Sequence, residues 1–225
     1  MKGWVIPPKE NSHFAAAMEQ ALDVYKRPYN KSRPIVCMDE TPKQLIKEVR
    51  RSLPARPGFE ERVDYEYSRC GVCNVFMISE PLAGKRFTKV TNQRTKKDWA
   101  LLVKYICDKL YPDAEIITLV MDNLASHSAA ALYETFEPVE AKRIWDRLEF
   151  IYTPKHGSWL NMAEIELNVL TKQCLNRRIE DLRTIKTEVK AWQNHRNNKD
   201  AKIKWQFTTT DARVKLHRLY PSIHN

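Results

Sequence analysis

Two short apolar runs constrain the fold of this chain more than any other feature of its sequence. Residues 35–38 read IVCM and residues 116–121 read IITLVM. Continuous apolar runs of this length are typical of strands that are buried on both faces. Each run is followed directly by an acid, Asp39 after the first and Asp122 after the second. The pattern predicts an α/β layer fold in which two central strands end in aspartates.

The remaining elements are predicted from periodicity, caps and turn residues. Strands are expected over 85–94 and 149–154, and a strand pair over 65–81 that turns near Gly71. Residues 41–58 are rich in proline and basic residues, and we expect them to be irregular. No repeat or internal boundary is visible, so we expect one domain with helical ends. The predicted helices cover residues 11–26, 96–111, 126–136, 138–148, 158–176, 181–194 and 208–220.

The charge of the chain favours a polyanionic partner. Its formal net charge is +10, and the basic residues are clustered, as in RTKKDW, NRR and RVKLHR, among tryptophans and tyrosines. Lysine and arginine neutralise phosphates, and flat aromatic side chains can contact bases or sugars. This composition is typical of a nucleic-acid-binding protein, although a set of solvated basic helix faces would give the same charge.

The sequence also bears on location. No segment is apolar over the length that a bilayer requires, and residues 1–14 lack the apolar core of a signal peptide. We therefore expect a cytoplasmic protein with no membrane contact. The five cysteines are an odd number, which favours free thiols. Cys70 and Cys73 form a CGVC spacing, but a structural zinc site needs four ligands, so the turn at Gly71 is the preferred interpretation.

A third acid is expected from a helix. In GSWLNMAEIELNVL, residues 157–170, a helical period places an apolar stripe against the sheet. Glu164 and Glu166 lie on opposite borders of this stripe, and helical geometry does not choose between them. The stripe consists of Leu160, Ala163, Leu167, Leu170 and Cys174.

Three carboxylates at one site repel one another unless cations offset their charge. Carboxylate oxygens are the ligands that Mg²⁺ and Mn²⁺ prefer, and a pair of such ions can activate a nucleophile and stabilise a leaving oxygen in phosphodiester chemistry. The alternative is structural, because an aspartate after a strand is often a helix cap or a turn former.

Three segments, taken in order, closely resemble a known family. VCMDE, VMDNLASH and YTPKHGSWLNMAEIEL are similar to the catalytic core of DDE transposases of the mariner-like superfamily, in its bacterial insertion-sequence branch. The resemblance implies a ribonuclease H-like fold of the α/β class, a mixed five-stranded sheet flanked by helices. The three acids of the family fall on Asp39, Asp122 and Glu164, so the resemblance selects Glu164 over Glu166.

The resemblance implies an activity and its partners. These are divalent-metal-dependent hydrolysis at transposon ends, with two Mg²⁺ or Mn²⁺ ions held by Asp39, Asp122 and Glu164, and transfer of the freed 3′-hydroxyl into target DNA, commonly at TA. It implies double-stranded DNA as the partner, a homodimer on that DNA, and a bacterial, nucleoid-associated location. The alternatives are a ribonuclease H-like nuclease without strand transfer and an inactive DNA-binding remnant.

The expected organisation is an N-terminal helix and linker over 1–33, a catalytic domain over 34–195 and a basic helical extension over 196–225. Family members carry helix-turn-helix modules before the catalytic core. The 38 residues before Asp39 are too few for such modules, so we expect this chain to be a catalytic half.

Further residues are candidates for supporting roles. Asn123 and His127 are expected to shape the metal site or to contact a phosphate, with helix capping or packing as the alternative for His127. Glu166 is expected to be a structural or supporting acid. Lys155 and His156 precede the helix of Glu164 and are candidates for contact with the DNA backbone, with a plain loop role as the alternative.

Overall fold

A mixed five-stranded sheet forms the centre of the molecule, in a computed structural model that describes residues 11–50, 53–62, 64–124 and 127–221. The strand order is β3-β2-β1-β4-β5. β1 pairs antiparallel with β2 and parallel with β4, and β5 is parallel to β4. The strands are β1 (Ile35–Glu48), β2 (Tyr67–Glu80), β3 (Lys85–Thr91), β4 (Ile117–Met121) and β5 (Leu148–Tyr152).

Helices cover both faces of this sheet, which confirms the predicted α/β architecture. They are α1 (Ser12–Tyr25), α2 (Lys96–Tyr105), α3 (Ala129–Tyr133), α4 (Pro138–Trp145), α5 (Met162–Leu170), α6 (Leu182–Asn198) and α7 (Thr209–Lys215). A π-helical turn extends α2 over Ile106–Leu110 and another extends α5 over Thr171–Leu175, while 3₁₀ turns occupy Ser158–Leu160 and His217–Leu219. Within the described ranges, none of these helices combines the length and the apolar character that spanning a bilayer requires.

Strand alternation divides the interior into two cores. Val36 and Met38 of β1 point toward α2 and α4, where they pack with Trp99. Cys37 points to the other face, which α1, α5 and α6 cover, and it packs there with Val120 of β4. Because side chains alternate along a strand, Asp39 lies on the same face as Cys37.

The predictions for residues 41–48 and 65–81 are wrong, whereas the described residues of 49–58 are irregular, as expected. β1 continues to Glu48, and β2 is one strand that passes through Gly71 without turning. The outer half of β1 has a strand partner only in β2, since its pairing with β4 ends at Cys37, and a strand with one free edge tolerates a proline such as Pro42. Gly71 instead has a φ of 107° close to a register shift between Gln44 and Ile46.

The structure contains a helix at each predicted place, but several helices end at other residues than predicted. Asn11 caps α1 and Asp181 caps α6, each by accepting a hydrogen bond from a backbone N–H three residues later. The helix predicted over 158–176 is a 3₁₀ turn, then α5, then a π-helical turn. The helix predicted over 126–136 corresponds to α3, which is shorter. Residue 126, where this helix was expected to begin, lies outside the described residues. So do residues 1–10 and 222–225 of the predicted terminal segments.

Candidate active site

The register of two parallel strands places Asp39 beside Asp122. Cys37 of β1 pairs with Val120 of β4, and each aspartate follows its strand residue by two positions. Cys37 and Val120 belong to the same core, so alternation directs Asp39 to the α5 face. Asp122 lies just past the end of β4, at the same sheet edge. This edge carries the carboxyl ends of the parallel strands, where ligands bind in open α/β sheets.

Helix α5 brings Glu164 to the same edge. Four residues of the apolar stripe predicted for this helix are buried against the sheet, and the fifth, Leu160, is buried against α1 and α7; the four are Ala163, Leu167, Leu170 and Cys174. Glu164 lies in the first turn of α5 and is half-buried. Its Oε2 is buried and has no hydrogen-bond partner among the described residues, while the Ser158 hydroxyl lies close to the same carboxyl group.

The electrostatics of Asp39 show that the acids act on one another. Burial raises the pKa of Asp39 to about 7, and the nearby carboxylates of Asp122, Glu40 and Glu164 add to the increase. A hydrogen bond of 2.8 Å from the Glu40 backbone N–H to Asp39 Oδ1 offsets part of it. Burial also raises the pKa of Glu164, and Asp122 raises it further, against the Ser158 hydroxyl. In the described ranges, no lysine or arginine forms a salt bridge with Asp39, Asp122 or Glu164.

A cavity of about 250 Å³ lies between β1 and α5. Its lining includes Asp39, Glu40, Glu164, Asn168 and Thr171, so two of the three acids and several neutral oxygens face one space. These oxygens, with the unpartnered Glu164 Oε2, are donors that suit a divalent cation. Within the described residues, no three His, Cys, Asp or Glu side chains are grouped closely enough to enclose a metal ion. A cation in this cavity would therefore need water or substrate oxygens to complete its ligands.

His127 lies on the other side of Asp122. Its Nδ1 is 2.7 Å from Asp122 Oδ1, and its Nε2 is 3.7 Å from Glu40 Oε2. The His127 ring stacks on Trp99 with a centroid distance of 5.6 Å, and the Tyr152 hydroxyl donates to its carbonyl oxygen. The buried ring thus connects two carboxylates that come from different strands.

Glu40 and Asn123 occupy different environments at this edge. Burial raises the pKa of Glu40, an increase that His127 and Arg94 partly offset. Arg94 Nη1 lies 3.3 Å from Glu40 Oε1. Asn123 follows Asp122 directly and is exposed to solvent. Of these two residues, only Glu40 has a side-chain contact that leads to one of the three acids, through His127 to Asp122.

The structure places Glu166 apart from the three acids. Its carboxylate is fully buried, 2.7 Å from Arg86 Nη2 and 3.1 Å from both Nε and Nη2 of Arg196. Burial raises the pKa of Glu166, but the hydrogen bonds from Arg86 and Arg196 outweigh it and leave the pKa below its usual range. Glu166 therefore joins α5 to β3 and α6.

Lys155 and His156 form an exposed turn between β5 and the 3₁₀ turn that precedes α5. The Gly157 N–H donates to the Pro154 carbonyl oxygen at 2.8 Å, and His156 has a φ of 65°. A β-carbon at Gly157 would lie 2.5 Å from Pro154 Cγ, so the turn requires glycine at this position. Both basic side chains are exposed close to the Glu164 helix.

Sequence reasoning missed Asn161. Its buried side chain caps α5 and also donates to the Met38 carbonyl oxygen at 2.8 Å. An asparagine three residues before a glutamate is a recognisable helix-start signal, so the cap was detectable in the sequence. The bond to Met38 was not, because it joins residues far apart in the chain.

Comparison with known proteins identifies the family of this chain. Residues 34–186 match the family model described as DDE superfamily endonuclease. The chain belongs to this family. A comparison with curated proteins finds no match.

The solved structures that resemble this DDE endonuclease domain include several of the Mos1 mariner transposase. The Mos1 paired-end complex with Mn matches with a TM-score of 0.59 and 15% identity, over 89% of this chain and 61% of the Mos1 chain. The Mos1 strand transfer complex has a TM-score of 0.56 at 15% identity, over 89% and 64% of the two chains. The paired-end complex with Mg has a TM-score of 0.56 at 14% identity, over 99% and 67%.

These comparisons confirm the predicted fold. The mixed sheet with helices on both faces is the ribonuclease H-like architecture of the Mos1 catalytic domain. The DDE endonuclease domain spans 61% of the length of the Mos1 chain in the complex with Mn, so it corresponds in fold to part of that protein.

Proposed function

We propose that this DDE endonuclease domain is the catalytic part of a transposase. It would hydrolyse phosphodiester bonds at transposon ends and transfer the freed 3′-hydroxyl into target DNA, with TA as the target. The observation that carries the proposal is the convergence of Asp39 and Asp122 from paired strands with Glu164 from α5, none of them neutralised by a lysine or arginine of the described chain.

Asp39, Asp122 and Glu164 are proposed to hold two Mg²⁺ or Mn²⁺ ions. Such ions, when bound, supply an activated oxygen nucleophile and stabilise the leaving oxygen. Asp39 and Glu164 line the cavity between β1 and α5. Burial and neighbouring carboxylates raise the pKa of Asp39 to about 7, so a cation bound there would stabilise its ionised form. His127 orients Asp122 through its 2.7 Å contact, and the Glu40 carboxylate lies 3.7 Å from the other nitrogen of the same ring.

Double-stranded DNA is the proposed partner, as transposon end and as target. The net charge of +10 supports a polyanionic ligand, and the exposed Lys155 and His156 are proposed to contact its backbone close to Glu164. The resembling structures include Mos1 paired-end and strand transfer complexes. A bacterial insertion-sequence origin, with action at the nucleoid, belongs to the same proposal.

A homodimer is proposed on the DNA. Between β1 and β2, Leu53 pairs with Arg62 and Arg56 pairs with Phe59. Phe59 is 66% exposed and Tyr65 is 85% exposed. Exposed large apolar side chains are typical of a contact surface between proteins. Sedimentation of the domain with and without a DNA end measures the change in mass that this proposal expects.

The test separates joining from cutting. Wild-type protein is incubated with Mn²⁺, a labelled duplex that carries the DNA flanking the gene, and a supercoiled target plasmid. We expect cleaved ends and covalently joined products whose junctions lie at TA, and neither product from Asp122→Asn protein. Asp181→Asn is the control, because Asp181 caps α6 and has no contact with the three acids.

The outcomes distinguish the proposal from its two alternatives. Cleavage without joined products would favour a ribonuclease H-like nuclease. DNA binding without metal-dependent cleavage would favour an inactive DNA-binding remnant. Equal cleavage by wild-type and Asp122→Asn protein would refute the assignment of the site.

A further inference from the structure

One buried side-chain amide connects the helix of Glu164 to the strand of Asp39. Asn161 caps α5 and is 1% exposed. Its Oδ1 accepts the Ala163 N–H at 3.1 Å, and its Nδ2 donates to the Met38 carbonyl oxygen at 2.8 Å. A helix cap needs only the acceptor, since its role is to satisfy a free N–H of the first turn. The hydrogen bond from Asn161 Nδ2 to β1 is therefore not needed for the cap, and it joins the start of α5 to the strand.

This connection is a short path between two of the acids. Met38 precedes Asp39 directly, and the Glu164 N–H donates to the Asn161 carbonyl oxygen at 3.0 Å. The residue before Asn161 is also held, because the Tyr25 hydroxyl donates to the Leu160 carbonyl oxygen at 2.6 Å. The start of α5 is thus fixed to β1 and α1 at the position from which Glu164 projects.

The acids themselves supply a force that opposes this arrangement. Asp39 and Glu164 carry like charges in a partly buried site, and Coulomb repulsion favours their separation. A site for small cations tolerates only a few tenths of an ångström of displacement in its ligands. Apolar packing of the α5 stripe resists translation weakly, whereas a directional hydrogen bond to the strand fixes the helix start.

We propose that Asn161 is a positioning residue that sets the placement of Glu164 relative to Asp39 through its amide bond to the Met38 carbonyl. The proposal rests on the proposed function, since it assigns the purpose of the placement to cation binding. Asn161 touches neither the cation nor the DNA, and it acts through Glu164.

The experiment compares the same substitution at two helix caps. Asn161→Ser retains a hydroxyl acceptor for the cap of α5 but has no amide to reach Met38. Asn11→Ser is the matched control, because Asn11 caps α1 through a 2.9 Å bond from the Phe14 N–H and lies in a different helix. Glu164→Ala and the double variant Asn161→Ser with Glu164→Ala complete a cycle that isolates the coupling between the two residues.

Mn²⁺ titration calorimetry on the DDE endonuclease domain is the first readout. We expect Asn161→Ser to raise the Kd for Mn²⁺ by roughly ten- to a hundredfold, the range known for groups that orient metal ligands. Asn11→Ser should leave the Kd unchanged. Adding Asn161→Ser to Glu164→Ala should have no further effect, whereas a further tenfold loss in the double variant would show that Asn161 does not act through Glu164 and would overturn the proposal.

Amide hydrogen exchange, measured without metal, is the second readout. We expect the amides of Ala163 and Glu164 to exchange at least tenfold faster in Asn161→Ser and at the wild-type rate in Asn11→Ser. Faster exchange with an unchanged Kd would show that Asn161 stabilises the start of α5 without affecting metal binding, and would overturn the proposal. Unchanged exchange would overturn it as well. If the wild type bound no Mn²⁺, the proposed metal site would fail, and the exchange rates alone would decide whether Asn161 holds the helix.

Discussion

Two glutamates on helix α5, two residues apart, lie in opposite electrostatic environments. Glu164 faces the sheet edge with Asp39 and Asp122, and its pKa is raised by burial and by Asp122. Glu166 is fully buried, and hydrogen bonds from two arginines outweigh burial and lower its pKa. Helical geometry alone placed them symmetrically on the borders of one stripe. The difference arises from what packs against each side of the helix.

The comparison contrasts a carboxylate that is paired within the fold, Glu166, with one that is available to a ligand, Glu164. Arg86 of β3 and Arg196 of α6 neutralise Glu166, so its charge stabilises the packing of three elements. At the sheet edge, no lysine or arginine of the described residues pairs with Asp39, Asp122 or Glu164, and Arg94 lies 3.3 Å from the neighbouring Glu40. Unfavourable burial of a charge that the fold could have avoided is a mark of a functional site. The side of α5 that carries Glu164 is therefore the side on which we propose that a cation binds.

The largest expected effect is on chemistry and comes from Glu164. Glu164→Gln should lower metal-dependent DNA cleavage by about a thousandfold, which corresponds to roughly 4 kcal/mol of transition-state stabilisation, because a neutral amide cannot replace a carboxylate metal ligand. Its unfolding temperature should equal or exceed that of the wild type, since the change removes repulsion. Cleavage rates and thermal unfolding are measured on the same preparation. A Glu164→Gln protein that cleaves normally would contradict the comparison.

The next effect is on stability and comes from Glu166. Glu166→Ala leaves Arg86, fully buried, without its carboxylate partner, and removal of one partner of a buried ion pair costs about 3–5 kcal/mol. Urea unfolding measures the loss, with Glu164→Ala as the matched control on the same helix. Equal destabilisation by the two substitutions would mean that the two glutamates do not differ as described.

Much of this contrast was beyond the reach of sequence reasoning. The strands at 35–38 and 116–121 were predictable because both are buried on two faces and therefore continuously apolar. The apolar stripe of α5 was predictable because it repeats with the helical period. The partners of Glu166 were not predictable, since Arg86 and Arg196 lie 80 and 30 positions away in sequence.

The long β1 illustrates a different difficulty. Its inner half is identified by burial, but its outer half carries Pro42 and basic residues and pairs with β2 alone. Hydrophobic periodicity does not reveal a strand segment whose residues are mostly polar and only partly buried. The candidate site was predicted more fully, because the resemblance selected Glu164, and the structure brings it to the sheet edge with Asp39 and Asp122.

The third prediction concerns pH and should give slopes of opposite sign for the two regions. The Asp39 pKa of about 7 exceeds the usual value, so the folded state binds the proton more readily than the unfolded state. Metal-free stability contributed by Asp39 should therefore fall as the pH rises from 4 to 7, by at most about 1.4 kcal/mol per pH unit. The lowered pKa of Glu166 has the opposite effect, so its contribution is present above its usual pKa and is lost on acidification.

Urea unfolding of the wild type and Asp39→Asn between pH 4 and 7 measures the first slope. The stability of the wild type relative to the variant should decrease toward pH 7 without metal. Mn²⁺ should reverse this trend, because a cation binds the ionised carboxylates and its affinity rises as they lose protons. A difference that does not change with pH would show that Asp39 titrates as an ordinary surface acid, and the contrast with Glu166 would weaken.

The smallest expected effect tests whether DNA lies on the Glu164 side of the molecule. Lys155 is exposed on the turn before α5, and Lys186 is exposed on α6, the helix that carries Arg196. If Lys155 neutralises one phosphate, Lys155→Ala should reduce the slope of log Kd against log salt by about one, whereas Lys186→Ala should leave the slope unchanged. Fluorescence anisotropy with a labelled duplex at several salt concentrations measures both slopes. The reverse result would place the DNA beside α6, away from the turn that precedes the Glu164 helix. Asp39, Asp122 and Glu164 would in that case lie away from the scissile bond. Their lack of arginine partners would then need a different explanation from metal-assisted cleavage.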